Sequence, residues 1–197
     1  PVLVLDAGAN VDCSPQELVG FAHLGVLYAR DVMDRSEPAV GLLNIGEEKE
    51  KGNAATKEAH RLLAASGLSF VGNIEGGDIV LGSCDRGPFD VVVCDGFVGN
   101  VLLKFYESTG KLFHRLVDRE LGAELAHGAA MQRIWRVLDY AEYGGAPLLG
   151  VRGVSIICHG RSSPEAQRAA VKVAIEAARH HLVQHMTSEF LPGGAAS

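Results

Sequence analysis

Short apolar runs alternate with amphipathic segments along most of this chain, and that alternation limits its possible folds more than any other feature. Val2 to Leu5 reads as a strand that stops at the turn Asp6-Ala7-Gly8-Ala9-Asn10. Ser14-Pro15-Gln16-Glu17 predicts a helix start: Ser14 accepts from the Glu17 amide, Pro15 suits the first helical position, and Leu18, Phe21, Ala22, Gly25 and Ala29 share one face. Ala39 to Ile45 is continuous and apolar up to Asn44, as a buried parallel strand is. A second helix to about Gly67 follows, with Ala55, Ala59, Leu62 and Leu63 inward. Leu68 to Ile74 predicts a third strand. Phe89 to Cys94 predicts a fourth, the richest in β-branched residues and therefore central. A long helical stretch with Leu102, Phe105, Leu112, Phe113, Leu116 and Val117 at helical spacing is broken by Gly122 and Gly128 before Ile134, Trp135 and Leu138 resume, predicting a helical hairpin over about 101–140. Val154 to Cys158 reads as the last strand, and Ser163-Pro164 opens a final helix to about Glu189.

Parallel neighbours need crossover connections, so this order predicts an α/β fold: a doubly wound, mainly parallel sheet with helices on both faces and a projecting helical hairpin. A chain of 197 residues, 47% hydrophobic and 21% charged, is ordinary for one such domain, expected over 1–191, with 192–197 as a disordered tail. The chain opens at Pro1 directly on an apolar run, which reads as part of something longer.

The charge balance excludes some functions. With 18 Lys and Arg against 24 Asp and Glu, a net charge of -6, no global positive field is present to hold nucleic acid or anionic lipid, so any basic patch must be local. The four cysteines, Cys13, Cys84, Cys94 and Cys158, form no C-x-x-C pair, and the histidines have no metal-ligand spacing, so a reduced, cytoplasmic protein with no metal is expected. No apolar run approaches the roughly 18 residues needed to span a bilayer.

In a parallel sheet the carboxyl ends of the strands lie on one edge, where ligands bind. Four of the predicted strands run there into DAGANVD, NIGEEKEKGN, DGFVGN and HGRSS, each followed by a helix start whose free amides can receive an anion. One such loop is an ordinary tight turn more often than a site, but four at corresponding positions point to a small anionic ligand. No G-x-G-x-x-G or G-x-x-x-x-G-K-[ST] occurs, which disfavours NAD and ATP and leaves no cofactor. No G-x-S-x-G elbow occurs either, and Cys94 falls inside a buried strand as a structural thiol. His181 and His185, one turn apart, lack a carboxylate partner motif and receive no role.

The succession DAGANVDC, GLLNIGEEKEKGN, FVGNIEG, DVVVCDGFVGNVLLK, YGGAPLLG and HGRSS resembles the PlsX-type phosphate acyltransferases of bacterial phospholipid synthesis, in order and over nearly the whole chain. NIGEE-x-x-KGN together with DGF-x-GN carries the specificity. The resemblance implies transfer of a long-chain acyl group from acyl carrier protein to inorganic phosphate by a Rossmann-like α/β/α homodimer. Family members also carry an N-terminal half with a D-A-M-G-G-D motif that contributes to the cleft, and nothing like it occurs here, so the likeness is to the C-terminal portion. A phosphotransacetylase-like enzyme using acyl-CoA and a non-catalytic docking module are the other readings.

The residue types suit that chemistry, because phosphate is itself the nucleophile and the protein need only bind it, polarise the carbonyl and exclude water. Lys51 can neutralise phosphate, and the Asn100 amide can stabilise the developing oxyanion, a role worth roughly 3 to 4 kcal/mol per donor. These two are the expected catalytic residues. Asn10, Asn44, Glu47, Gly52, Asn53, Asp95, Gly96, Phe97, Gly99, His159 and Gly160 are expected to line the substrate site. A thiolate with an ordinary pKa of about 8.5 leaves readily, so His159 suits an orienting donor better than an obligatory acid. The plain alternative for Lys51 is a helical surface pair with Glu47, worth only about 0.3 kcal/mol.

Residues 101–140 hold Lys104, Lys111, Arg115, Arg119, Arg133 and Arg136 against Glu107, Asp118, Glu120, Glu124 and Asp139, the least acidic stretch of the chain. Leu121, Leu125 and Met131 sit near the tip of the predicted hairpin, where little core is available to cover them. An apolar tip with a basic flank suits an interface; the resemblance implies that this region serves dimer contact and peripheral attachment at the inner face of the membrane, and the basic flank also suits the acidic carrier protein.

Overall fold

The computed structural model describes residues 1–126, 128–138, 145–158, 160 and 162–190, with the side chains of 121, 123–126, 130 and 136–138 also outside the description. Strands β1 (Leu3–Leu5), β2 (Val40–Leu43), β3 (Phe70–Ile74) and β6 (Val91–Val93) form one sheet in the order β1-β6-β2-β3, with every pairing parallel. Between β3 and β6 lie strands β4 (Ser83–Cys84) and β5 (Gly87–Pro88), paired as a small antiparallel hairpin. The Val-Val-Val run of β6 is interior, as its β-branched composition predicts. Its register aligns Leu5 with Val93 on one side and Leu42 with Val93 on the other.

Helix α1 (Pro15–Asp31) starts as the sequence dictates: the Ser14 hydroxyl accepts from the Glu17 amide at 3.3 Å, and the Glu17 carboxylate accepts from the Ser14 amide at 2.7 Å. Together with α2 (Ala54–Ala64) it covers one face of the sheet, where Leu18, Ala22, Ala59 and Leu63 meet Val40, Leu42, Val91 and Val93. Each such fully buried Val or Leu stabilises the fold by about 1.5 to 3 kcal/mol. The opposite face is built from Val92, Ile74 and Phe89 with Val2, Val4 and Leu43, and is covered by Ile79 of the short helix α3 (Gly76–Leu81) and by Cys84. The mainly parallel sheet flanked by helices is therefore present. Helix α3 and the β4–β5 hairpin escape the sequence reading, because a six-residue helix and two-residue strands carry too little periodicity to register.

Helix α4 (Gly96–Ala126) is interrupted at Gly122, whose φ of 73° and ψ of 163° are not helical, and α5 (Ala129–Leu138) places Trp135 edge-on to Phe113 and stacked on His114. The last strand departs from expectation. β8 (Ile156–Ile157) pairs antiparallel with β7 (Ala146–Pro147) in a separate two-stranded sheet, and does not join the parallel one. Only residues 148–155 separate the two, so closing this local pair costs far less chain entropy than a long crossover. The final helix also divides, into α6 (Pro164–Arg179) and α7 (Leu182–Phe190), at His181 with φ of 52°.

The chain forms two compact units, one of Pro1–Asn100 with the segment from His180 onward, the other of Val101–Arg179. In the first, α7 packs on α1 through buried Leu182 and Met186, and His185 Nδ1 lies 2.6 Å from the Asp31 carboxylate. His185 is thus engaged with a carboxylate far away in sequence, a partner no local motif could reveal.

Candidate active site

The carboxyl edge of the parallel sheet gathers the loops after β1, β6, β2 and β3, with adjacent strands about 4.8 Å apart. On the β1–β6 side the organising group is Asp6, a buried carboxylate. It accepts hydrogen bonds from the amides of Gly8 (2.8 Å), Ala9 (2.9 Å) and Asn10 (2.7 Å) and from Asn10 Nδ2 (2.9 Å). Burial raises the Asp6 pKa, and the hydrogen bonds from Ala9, Asn10 and Gly8 outweigh it, so the carboxyl titrates below its ordinary value. The loop from β6 lies directly against this one. Asp95 Oδ1 caps α4 by accepting from the Val98 amide at 2.8 Å, and the Phe97 amide donates to the Val11 carbonyl at 3.3 Å. Gly96 and Gly99 are buried here because a Cβ on Gly96 would stand 2.0 Å from the Asn10 carbonyl oxygen.

Asn100 emerges from this packing exposed, beside Gly8, and among the described residues nothing hydrogen-bonds its side-chain amide. Phe97 is 63% exposed at the same edge, an apolar surface next to polar loops.

On the β2–β3 side Asn44 closes the NIGEEKEKGN loop on itself: Oδ1 accepts from the Ile45 amide at 2.9 Å and Nδ2 donates to the Lys51 carbonyl at 3.1 Å. Gly52 has φ of 92°, and a Cβ there would lie 2.5 Å from Asn44 Oδ1, so no other residue fits. Asn53 caps α2, accepting from the Thr56 amide at 2.9 Å. Glu47 pairs with Arg86 of the β4–β5 turn at 3.0 Å, which removes it as a partner for Lys51; residues 47–51 are not helical either. The Lys51 ammonium is exposed and has no ion pair among the described residues. The first amides of α2, on Ala54 and Ala55, have no acceptor among them.

The expectation of free amides at every loop is thus corrected by the structure. In the β1 loop the donors are consumed by Asp6, at the start of α4 by Asp95 and the Val11 carbonyl, and at α1 by its own capping box. Open donors remain at the start of α2, on Ala54 and Ala55, and the unpaired Lys51 lies three residues before it in the same loop. The HGRSS loop is likewise corrected, since it follows β8 and not a strand of the parallel sheet. His159 lies outside the described residues, and Gly160 is in an exposed turn of the second unit. The backbone of Leu121 and Leu125 is in α4 with side chains outside the description, and Met131 is half-buried on α5.

Cys94 is buried, with its thiol directed at the Asp6 carbonyl (3.5 Å), and burial, followed by the charges of Asp95 and Asp6, pushes its pKa up to about 12. It is no nucleophile at neutral pH. Among the described residues no group of His, Cys, Asp or Glu is arranged to hold a metal ion.

Sequence reasoning passed over four residues that shape this edge: Asp6, His60, Asn73 and Arg86. Arg86 donates to the carbonyls of Val71 and Asn73 as well as to Glu47. Asn73 is fully buried. A polar residue inside the apolar run FVGNI was the available signal, and its meaning depends on partners distant in sequence.

A parallel sheet flanked by helices, with an unpaired lysine, open helix amides and an unengaged asparagine amide in the loops at its carboxyl edge, defines a Rossmann-like α/β protein. Its affiliation is equally specific: residues 1–185 match the family model described as fatty acid synthesis protein, and the chain belongs to that family. Among relatives, the phosphate acyltransferase of Synechococcus elongatus is 48% identical over 194 residues, covering 94% of this chain and 55% of the relative. The enzyme of that name from Moorella thermoacetica is 46% identical over 202 residues (99% and 58%), and that from Thermodesulfovibrio yellowstonii 49% over 182 (88% and 51%). The chain spans about half the length of the curated relatives it matches. The likeness carried by the NIGEE and DGF motifs is borne out.

Proposed function

We propose that this protein catalyses acyl transfer to inorganic phosphate, taking a long-chain fatty acyl group from its thioester on acyl carrier protein. A phosphate oxygen attacks the thioester carbonyl carbon, the C–S bond breaks, and the products are acyl phosphate and the carrier thiol, which recovers a proton from solvent. The observation that carries this reading is that the loop with the unpaired Lys51 leads directly into the open Ala54 and Ala55 amides, which suits phosphate rather than a protein-bound nucleophile. Asn100, across the same edge, supplies an amide to the oxyanion, and exposed Phe97 offers the acyl chain an apolar wall. Gly52, Asn53 and Asn44 shape the phosphate loop, while Asn10, Asp95, Gly96 and Gly99 fix the placement of Asn100.

The protein acts as a homodimer at the inner face of the membrane. Supporting this, α4 exposes Phe105, Leu112 and Leu116 beside the exposed basic residues Lys111, Arg115 and Arg119. Among the described residues no helix is long and apolar enough to cross a membrane.

The decisive assay follows phosphate-dependent release of carrier-protein thiol by the full-length protein, with the acyl phosphate identified by mass, in the presence of a chelator. Phosphate-independent thiol release would make the protein a thioesterase, loss of turnover on chelation would end the metal-free mechanism, and preference for acyl-CoA would replace the donor.

A further inference from the structure

Asn73 is a fully buried polar side chain at the end of β3, and both ends of its amide are engaged. Nδ2 donates to the Glu48 carbonyl at 2.8 Å, and Oδ1 lies 2.9 Å from His60 Nδ1 on α2. A carbonyl can only accept, so Glu48 fixes which end of the amide is nitrogen; Oδ1 then faces the imidazole, and His60 must donate through Nδ1. The Glu48 carbonyl also accepts from the Lys51 amide at 3.0 Å. The Glu48 carbonyl therefore ties Lys51 to the sheet through Asn73 Nδ2, and Asn73 Oδ1 ties the same side chain to α2 through His60, whose ring is seated edge-on against Phe70 at 5.2 Å.

We propose that Asn73 and His60 are positioning residues for Lys51: their hydrogen-bonded chain sets where the 44–53 loop holds the ammonium relative to the open start of α2. The inference rests on the reading of Lys51 as the phosphate-binding cation. Asn44 and Gly52 close the loop on itself, but neither anchors its middle; Asn73 does so from the rigid sheet, where a buried, doubly satisfied amide leaves one low-energy arrangement. Asn73 is fully buried and His60 is bonded to it, so in this reading their removal acts through the placement of Lys51, on phosphate and not on the acyl donor.

The test compares Asn73→Asp, His60→Leu, His60→Asn and Lys51→Ala in the full-length protein, with phosphate and acyl carrier protein varied separately and melting followed on the same samples. Asn73→Asp removes the donor to Glu48 with little change of shape, and His60→Leu removes the donor to Asn73. Each is expected to lower kcat/KM for phosphate at least tenfold, with the KM for the acyl donor changed less than threefold. His60→Asn places an amide N–H near the former Nδ1 and restores the phosphate constant to within threefold of the parent. If Asn73→Asp does not fold, the two His60 variants decide the matter. Equal losses for both substrates, or failure of His60→Asn to restore what His60→Leu removes, would reduce the pair to ordinary packing. A damaging Lys51→Ala with silent Asn73 and His60 variants overturns this inference alone, whereas a silent Lys51→Ala overturns the reading of the site beneath it.

Discussion

The Cα of Gly99 lies so close to Asp6 that a Cβ built on it would stand 1.8 Å from the Asp6 carbonyl oxygen. The contact is with backbone, so no rotamer change relieves it, and it locks the first turn of α4 onto the loop after β1. Gly99→Ala must push these two loops apart or unfold them. It is expected to destabilise the protein by about 3 kcal/mol, the upper range for overpacking, and to displace Asn100 from Gly8. Thermal melting checks the first effect, and a mutant that melts like the parent would show that the loops are not in this contact.

Asp6 makes stability depend on acid in a defined direction. Its pKa in the folded chain lies below the ordinary 3.8, because the amide donors outweigh the burial that raises it. The carboxylate's contribution is therefore complete above pH 3.8 and is lost as pH falls through the lower, folded value. Asp6→Asn removes that contribution and turns a donor toward amides that are themselves donors, costing about 2 kcal/mol at neutral pH. Denaturant titrations of parent and mutant should show this gap at pH 7 and narrowing below pH 3.8. A gap that widens toward acid would contradict the assignment.

How much was legible in the sequence depended on whether the signal was local. The capping box of Ser14 and Glu17 and the interior position of the Val91–Val93 strand are decided within a few residues, and they read correctly. The destination of the Val154–Cys158 run was not local: its composition suits a parallel strand, yet its partner is the Ala146–Pro147 pair that composition does not mark. The same holds within the candidate site. Lys51 and Asn100 stand out by residue type, whereas Asn73, His60 and Arg86 matter only through hydrogen bonds to residues 13 to 39 positions away. Nor could the sequence show that the β1 loop spends its amides on its own Asp6, since a glycine-rich turn that holds an external anion looks the same on paper.

Lys51→Ala and Asn100→Ala are each expected to lower turnover at least a hundredfold, about 2.7 kcal/mol of transition-state stabilisation. Both side chains are exposed and unpaired among the described residues, so melting should shift by less than about 0.5 kcal/mol equivalent. Steady-state kinetics and melting curves on the same preparations separate the two effects. A loss of activity matched by a comparable loss of stability would assign these residues to the fold instead.

Cys94 and Cys158 should behave oppositely toward alkylation. Cys158 is exposed, while the Cys94 thiol is buried and held up to about 12, so at pH 7.5 iodoacetamide should label the former and leave the latter until the chain is unfolded. Cys94→Ala should keep turnover within threefold of the parent, because in the proposed reaction phosphate and not a thiol attacks the carbonyl. Peptide mass mapping reads the labelling. Rapid modification of Cys94 in the native protein, accompanied by inactivation, would reopen a covalent route.

The region around residues 121–131 provides the last prediction. Along α4, Leu112 and Leu116 are exposed between the exposed cations Lys111, Arg115 and Arg119, an arrangement that a free helix in water does not favour and an anionic lipid surface or a second subunit does. Leu125 and Met131 lie further toward the glycine-marked turn, and replacing both with Glu puts two negative charges where the apolar contact would be. The double variant is expected to lose cosedimentation with vesicles containing anionic phospholipid while keeping turnover in solution, since the strand-end loops that hold Lys51 and Asn100 are formed by other residues. Vesicle binding that persists would remove the membrane role. A shift to monomer on size-exclusion chromatography, with activity lost, would instead assign the region to the subunit interface, and the salt dependence of the remaining binding would report how much of it the basic flank supplies.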